Sequence, residues 1–343
     1  MKENKLYTIG ALGRFTSEKG FSDLLIALSL LNKENINFKA IIGGCGENKN
    51  QLKLQSDQLE LDKHVTFPGW IEDKKKFFSE IDIFCLPSRS ESFGIVLLEA
   101  MKFKTPIVST DCEGPEEILT DKTDSIITIK NNPIALAESL KYLLTSDEIS
   151  EKLALNAYNK LISVYSKRAV CRRLEETLAD ITDKSSRLNI LNITHSRKWG
   201  GLEQAFIDYA SCLENNKHKV VSIVSNKSKI SGLLKEKNMR FTESHHIYKK
   251  YGQFSLLSQI FYKKLFRIHK PDVILLHNAR CLKAIKMSIG NNCPIVVISH
   301  GANEIKNCGA EYVIAVNNKI RDRNIATCPS IKKAYTIPNM VDI

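Results

Sequence analysis

The chain has 343 residues, 43% hydrophobic and 26% charged, which is enough for two domains that each bury a core. It lacks a run of about 18 apolar residues and an apolar core after its N-terminus, so neither a transmembrane helix nor a secretory signal is predicted. Nine cysteines occur singly, without a C-x-x-C pair, and we expect reduced thiols in a cytoplasmic protein.

The net charge of +12 is unevenly distributed along the chain. Residues 1–184 carry 25 Lys/Arg and 28 Asp/Glu, whereas residues 185–343 carry 25 and 10, a net charge of +15. The second half should therefore be attracted to an anionic membrane surface or a phosphate-bearing acceptor, with improved solubility alone as the alternative. No nucleic-acid-binding signature, D-x-D motif or His/Cys cluster occurs, which predicts neither a nucleic acid partner nor a metal site.

Apolar strands alternate with amphipathic helices over residues 7–130, the pattern of a parallel sheet covered on both faces. The predicted strands are 7–13, 38–43, 65–69, 81–87, 106–110 and 125–129. The predicted helices are 20–32, 48–60, 73–80 and 94–103, with three more within 133–181. The polar stretch 182–186 is the predicted linker.

A second alternation of strands and helices follows the linker. Its predicted strands are 188–193, 219–224, 271–277, 294–300 and 311–316, with a helix at 203–215. The sequence therefore predicts an α/β protein with two Rossmann-like, doubly wound domains, 1–183 and 187–343.

Residues 247–270 are basic and aromatic, and one helical face carries Phe254, Leu257, Phe261, Leu265 and Ile268. This stripe is predicted to pack on the sheet while the cations attract an anionic surface; direct membrane contact is the alternative.

Glu91 and Glu99 lie eight residues apart, separated by Phe93-Gly94 and an apolar run. Phe93-Gly94 reads as a tight turn that opens a helix, where backbone N–H groups cradle phosphate. Carboxylates accept hydrogen bonds from sugar hydroxyls, so the pattern favours a nucleotide-sugar site. An ordinary amphipathic helix with two exposed glutamates is the alternative.

This stretch resembles the Glu, seven residues, Glu signature of the retaining glycosyltransferases of family 4, which have the GT-B fold. Three upstream motifs of that family's nucleotide-sugar domain are matched in order by residues 9–20, 41–47 and 65–70. Ser92 stands where the family commonly has Gly, and 44–47 departs from the usual acidic and Pro positions. Residues 114–118 resemble a segment of members that build surface polysaccharides.

The resemblance predicts four catalytic residues, which are Arg14, Lys19 and Glu91 in the first half of the chain and His300 in the second. Arg14 and Lys19 match the diphosphate-binding pair, Glu99 the ribose ligand, and Glu91 a residue near the donor sugar. Further donor-binding residues implied by it are Phe93, Gly94, Ile95, Gly44, Gly46 and Trp70.

The second half resembles the family's N-terminal, acceptor-side domain. Gly200 and Gly201 match a loop that presents N–H groups to phosphate, and His300 matches a histidine that contacts the donor sugar near its reacting carbon. A packed or capping histidine is the alternative for His300. His277 and Asn278 are weaker candidates for acceptor contacts.

The two domains then stand in reversed order, because the family places its nucleotide domain second. Residues 336–343 also resemble the segment through which the family passes from its first domain into its second. Circular permutation is the favoured interpretation; a fusion of halves from two enzymes, or pairing with another chain, are the alternatives.

The resemblance implies a retaining, metal-independent transfer of a hexose or N-acetylhexosamine from a UDP-sugar, or less readily a GDP-sugar. The acceptor is expected to be a cell-envelope polysaccharide or a lipid-linked glycan, reached from the inner face of the membrane. No cofactor is expected, and Glu91 is not assigned as a nucleophile. Two alternatives are a GT-B nucleotide-sugar epimerase and a non-catalytic module that binds nucleotide sugar or membrane.

Overall fold

A computed structural model of the chain describes residues 5–91, 93–196, 201–226, 228–244, 256–277, 279–300 and 307–341, without the side chains of residues 201, 202 and 280. The chain forms two compact units, which divide between Ser163 and Val164. Each unit contains one sheet of parallel strands with helices packed on it. The predicted fold class, α/β with two Rossmann-like domains, is confirmed.

Unit 1 is built on a six-stranded parallel sheet in the order β3-β2-β1-β4-β5-β6. Its strands are β1 Tyr7–Leu12, β2 Phe38–Gly43, β3 Val65–Gly69, β4 Ile83–Leu86, β5 Ile107–Thr110 and β6 Ile126–Thr128. Its helices are α1 Phe21–Lys33, α2 Lys49–Gln58, α3 Lys74–Ser79, α4 Ile95–Lys102, α5 Glu113–Ile118, α6 Pro133–Leu144 and α7 Asp147–Lys160. All were predicted except α5.

The sequence explains why these segments form the elements they do. Every residue of β4 and β5 is buried, as expected for central strands of a sheet covered on both faces. Helix α3 is capped by Asp73, whose carboxylate accepts from the Lys76 N–H, and α6 is capped by Asn132 and has Pro133 as its first residue. Helices α1 and α6 pack together over the apolar face of the sheet.

Unit 2 is built on a seven-stranded parallel sheet in the order β13-β12-β11-β10-β7-β8-β9. Its strands are β7 Asn189–Ile193, β8 Lys219–Ser225, β9 Phe241–Ser244, β10 Val273–Leu276, β11 Ile295–Ser299, β12 Tyr312–Ala315 and β13 Lys333–Thr336. Its described helices are α8 Lys167–Thr182, α9 Gly201–Asn215, α10 Lys229–Glu236, α11 Leu256–His269, α12 Leu282–Ile289 and α13 Asn318–Thr327. Strands β9 and β13 and helices α10, α12 and α13 were not predicted.

In both sheets the order in which successive strands are added reverses at the first strand. In unit 1 the first strand lies between β2 and β4, and in unit 2 the first strand lies between β8 and β10. In open parallel sheets the loops on either side of such a point run in opposite directions and leave a crevice at the carboxyl ends of the strands. The carboxyl edges beside β1 and β7 are therefore where a ligand site is expected.

Helix α8 packs in unit 2, although the predicted boundary placed it in the first domain. Its residues Val170, Leu174 and Leu178 are buried in one apolar cluster with Ile190 and Phe206. The polar stretch 182–186 marks the end of this helix rather than the border between the compact units. The division lies before α8 because its apolar face matches the sheet of unit 2.

Four cysteines contradict the expectation of reduced thiols. The structure joins Cys171 to Cys212 and Cys308 to Cys328, with Cα–Cα distances of 5.7 and 4.8 Å, within the span of a disulfide. The partners are 41 and 20 residues apart in the sequence, so only the packing of α8 on α9, and of α13 beside Cys308, brings them together.

The apolar stripe predicted to pack on the sheet is only partly buried in α11. Leu265 is buried, but Leu257 and Ile268 are 48% and 60% exposed, and Phe254 lies outside the described residues. The buried face instead includes Tyr262, whose hydroxyl lies 2.8 Å from Nε2 of His195. Part of the predicted stripe therefore faces outward.

His277 follows β10 directly, and its imidazole is fully buried among aromatic rings. The ring centroids of Phe206, Tyr209 and His300 lie 5.2, 5.5 and 6.2 Å away. Neither ring nitrogen has a hydrogen-bond partner within the described part of the chain. Burial, with a smaller contribution from His300, lowers the pKa of His277 well below its ordinary value, so the ring is neutral at neutral pH.

Unit 2 should lose stability as the pH falls because of this histidine. Below a pH of about 6.5 the unfolded chain binds a proton at His277 that the folded chain does not, so the free energy of unfolding falls by up to about 1.4 kcal/mol per pH unit. We expect His277→Phe to reduce the fall in the free energy of unfolding between about pH 7 and about pH 5, as measured by urea unfolding of the full chain. An equal slope in the variant would contradict the prediction.

Candidate functional site

The loop that follows β4 lies against the loop that follows β1. The N–H groups of Arg89 and Ser90 donate to the carbonyl oxygen of Glu18 at 2.8 and 3.2 Å. The Arg89 guanidinium donates to both carboxylate oxygens of Asp23, in the first turn of α1, at 2.9 and 2.8 Å. This fork raises the pKa of Arg89 and fixes the two loops beside the point where the sheet changes direction.

Lys19 and Glu91, two of the residues predicted to be catalytic, are in direct contact. The Lys19 ammonium lies 2.6 Å from Oε2 of Glu91, and their side chains are only 19% and 17% exposed. The loops after β1 and β4 thus bring together residues that are 72 positions apart in the sequence.

Gly94 opens helix α4, as the sequence predicted. Its φ of 87° lies in the left-handed region that favours glycine, and its carbonyl oxygen accepts from the Leu97 N–H at 2.8 Å. The N–H of Ile95, the first residue of the helix, has no carbonyl partner one turn earlier within the helix, and N–H groups in this position are suited to an anion. Phe93 precedes the cap, whereas Ser92 lies outside the described residues.

Gly114, at the start of α5, packs against the loop that carries Glu91. Its N–H donates to the carbonyl oxygen of Glu91 at 2.8 Å. A Cβ atom at Gly114 would lie 2.5 Å from the Phe93 nitrogen and 2.7 Å from that same oxygen, so only glycine allows this approach. The sequence analysis linked residues 114–118 only to the family. The structure shows that this segment contacts the loop of Glu91 through Gly114.

Glu99 is paired with Lys74, a residue that the sequence analysis did not single out. The Lys74 ammonium lies 2.9 Å from Oε2 of Glu99, and the side chains are 35% and 27% exposed. Lys74 is the first residue of α3, just beyond Trp70. The sequence shows a charged run at 72–76, but it does not indicate which of these charges meets Glu99.

The remaining predicted residues of unit 1 lie in the same row of loops. Arg14 follows β1, is exposed, and has no ion pair among the residues that the structure describes. Trp70 follows β3 and is 72% exposed. Gly44 and Gly46 lie in the loop after β2, where the Gly44 N–H donates to the Gly69 carbonyl oxygen at 2.7 Å. All predicted donor residues of unit 1 thus lie at the carboxyl ends of four adjacent strands or in the first turns beyond them.

In unit 2, His300 directly follows β11. Burial lowers the pKa of His300 to about 4, and its Nε2 atom has no hydrogen-bond partner within the described residues. The strand end is held by Ser299, whose hydroxyl oxygen lies 3.1 and 3.2 Å from the amide nitrogens of Asn307 and Asn324. His300 is therefore a neutral imidazole on a fixed strand end.

Other predicted residues of unit 2 are only partly described. Gly201 begins α9, as expected for a loop that opens a helix, whereas Gly200 and Asn278 lie outside the described residues. His277 is enclosed in the core, which makes it unsuited to the acceptor contact considered for it. Within the described ranges, no group of three or more His, Cys, Asp or Glu could hold a metal ion.

Unit 1 also contains a cavity away from this row of loops. It has a volume of about 460 Å³ and is lined by residues before or at the amino ends of β1, β4 and β5, including Lys5, Asp82 and Lys104. Because ligands of open parallel sheets bind at the carboxyl ends of the strands, this cavity is not the candidate site.

When the chain is compared with known proteins, the part that forms unit 1 matches a protein family. Residues 2–160 match the family Glycosyl transferases group 1. The chain is 28% identical over 169 residues to the lipopolysaccharide core biosynthesis glycosyltransferase LpsE of Rhizobium meliloti, covering 49% of this chain and 48% of that protein. It is 24% identical over 174 residues to the capsular polysaccharide biosynthesis glycosyltransferase CapM of Staphylococcus aureus, covering 50% of this chain and 46% of that protein.

Among solved structures, the chain is similar to Anabaena HepE in complex with UDP and glucose, at 23% identity and a TM-score of 0.45, covering 51% of this chain and 48% of the other. The chain spans about half the length of the curated relatives it matches. The residues that match the group 1 family contain the whole row of loops described above. Unit 1 is thus similar to the glycosyl transferases of group 1, in agreement with the resemblance that its sequence motifs carry.

Proposed function

We propose that the protein is a retaining, metal-independent glycosyltransferase of the family 4 type that uses a UDP-sugar, or less readily a GDP-sugar. The observation that carries the proposal is the contact of Lys19 with Glu91 at 2.6 Å, three residues before the Gly94 cap of α4, the helix that carries Glu99. Arg14 lies in the loop that also carries Lys19. Relatives named for lipopolysaccharide core and capsular polysaccharide biosynthesis support an envelope polysaccharide or lipid-linked glycan as acceptor.

In the proposed mechanism, unit 1 compensates the charge of the departing nucleoside diphosphate. The exposed guanidinium of Arg14 and the ammonium of Lys19 would bind the phosphate oxygens, together with the first N–H groups of α4. These groups stabilise negative charge that grows as the bond to the sugar breaks. They would thereby neutralise the diphosphate charge that a divalent metal ion neutralises in metal-dependent enzymes.

The two carboxylates would bind hydroxyl groups rather than attack the sugar. Glu99 would accept from the ribose hydroxyls, and the exposed ring of Trp70 would offer a face to the base. Glu91 is engaged by Lys19 at 2.6 Å, which suits a carboxylate that holds the sugar better than one that attacks it. The acceptor oxygen would bond to the anomeric carbon on the face that the diphosphate leaves, and its proton would pass to a phosphate oxygen of the donor.

The roles of His300 and Gly201 in unit 2 stay predictions from the resemblance. A neutral imidazole, as His300 is, can donate or accept a hydrogen bond at a sugar hydroxyl without adding charge. We also infer a cytoplasmic location, because the resemblance implies that the donor is a nucleotide sugar.

Substrate turnover separates this proposal from its alternatives. A panel of nucleotide sugars incubated with the full chain should yield slow release of free sugar and UDP from one donor. We expect Glu99→Gln to lower kcat/KM for that donor by about tenfold or more, since it weakens charge-assisted hydrogen bonds to ribose. Glu80→Gln, at the end of α3, is the matched control and should have no effect. An isomerised donor would indicate an epimerase, and binding without turnover a non-catalytic module.

Lys74 is expected to hold Glu99 in position for the ribose. With Lys74→Met, the ratio of the dissociation constants of 2′-deoxy-UDP and UDP should fall towards one, because a mobile Glu99 no longer distinguishes the 2′-hydroxyl. Isothermal titration calorimetry measures both constants. Lys75→Met removes the same charge from the same helix and should keep the wild-type ratio. An unchanged ratio in the Lys74 variant would contradict the proposal that Lys74 positions Glu99.

We further propose that the reversed domain order is a circular permutation. The resemblance implies that the family's last helix packs on its first domain, and α8, which follows unit 1, packs in the core of unit 2. A rearranged chain with residues 187–341 placed before residues 5–186 should keep both the circular dichroism spectrum and the donor turnover. A folded rearranged chain without turnover would argue for a fusion of unrelated halves.

A further inference from the structure

Helix α11 presents an outward face that combines apolar and basic side chains. Leu256, Ile260 and Ile268 are 71%, 54% and 60% exposed. Ser258 and Leu265, on the opposite side, are buried, and Leu265 belongs to an apolar cluster with strand residues of unit 2. We define the α11 outer face as Leu256, Ile260, Lys263, Lys264, Arg267 and Ile268.

The helical repeat makes this face one continuous surface. Residues 256, 260, 263 and 267 follow each other at spacings of four, three and four, so they form a single row along the helix. Residues 264 and 268 form the row beside it. Lys263, Lys264 and Arg267 are exposed, and none of them has an ion pair within the residues that the structure describes.

The chemistry of this face fits the surface of an anionic bilayer. Exposed Leu and Ile side chains gain free energy by entering the boundary between headgroups and acyl chains, while Lys and Arg extend their apolar stems and keep their charges at the lipid phosphates. The net charge of +15 on residues 185–343 adds attraction at longer range. No described helix is long and apolar enough to span the bilayer, so this contact is one that lies on the surface.

Two other occupants fit the α11 outer face less well. Nucleic acid would pair with the three cations but would leave the exposed Leu256, Ile260 and Ile268 in water, with no aromatic ring in the row for base stacking. A second copy of the chain would cover the apolar residues, but would bring six like charges together across a two-fold axis.

The geometry points to the α11 outer face as the surface by which unit 2 docks on an anionic membrane. This inference rests on the proposed function for its purpose, since it would hold the enzyme beside a lipid-linked acceptor. Its physical basis lies in α11 and in the charge of residues 185–343, not in the nucleotide-sugar site, and it is tested without any nucleotide sugar. Loss of turnover with intact membrane binding, and the reverse, are therefore distinguishable.

The test is co-sedimentation of the full chain with vesicles. We expect binding to vesicles of phosphatidylcholine and phosphatidylglycerol in equal parts, weakened by added salt, and far less binding to phosphatidylcholine alone. Lys263→Glu/Lys264→Glu should lower the partition coefficient by about tenfold or more. Ile260→Ser/Ile268→Ser should lower it by a similar factor at constant charge.

Matched controls separate this face from general basicity. Lys229→Glu/Lys237→Glu makes the same charge change on and beside α10, and Met287→Ser/Ile325→Ser removes exposed apolar groups from α12 and α13. Both controls should bind like the wild type, and all variants should keep the wild-type melting temperature. Equal losses in α11 and control variants would overturn the inference. So would a wild-type dimer, seen by light scattering, that becomes monomeric only in the Ile260/Ile268 variant.

Discussion

The bidentate contact between Arg89 and Asp23 fixes the geometry on which the candidate site depends. Strands β1 and β4 are neighbours in the sheet, yet the chain leaves them in opposite directions, so nothing in the sheet itself holds their following loops together. The fork to Asp23 and the hydrogen bonds to the Glu18 carbonyl oxygen make that connection. Lys19 and Glu91 meet because these two loops are held side by side.

Both acidic side chains of the candidate site form an ion pair with a lysine. Each carboxylate of the signature, Glu91 and Glu99, has a lysine ammonium within 2.9 Å, and both lysines come from loops or helices after other strands. Such partly enclosed pairs hold the carboxylates in one orientation, which suits hydrogen bonding to hydroxyl groups. Arg14 differs in having no such partner among the described residues and is therefore available to an anionic ligand.

Much of unit 1 could be read from the sequence because its signals are local. Strand β2 was predicted at its observed bounds, and Gly94 was placed correctly at the start of α4, since apolar runs and glycine turns act over a few residues. Strands β9 and β13 were missed because they lie at sheet edges and are mostly half-buried, which removes the apolar run.

The errors share a different cause, which is contact between distant residues. Nothing near Lys74 in the sequence indicates that it meets Glu99, and the pairing of Cys171 with Cys212 depends on two helices packing together. Helix α11 likewise contacts His195 through Tyr262, a residue 67 positions further along the chain. Residue types and spacing do not contain this information.

The position of α8 has a practical consequence for dividing the chain. A recombinant piece that ends at the polar stretch 182–186 would carry α8 without the sheet it packs on, and would leave Val170, Leu174 and Leu178 in contact with solvent. The complementary piece would lack the cover over Ile190 and Phe206. Both products would expose apolar surfaces and tend to aggregate. A division between Ser163 and Val164 instead leaves each hydrophobic core with its own helices.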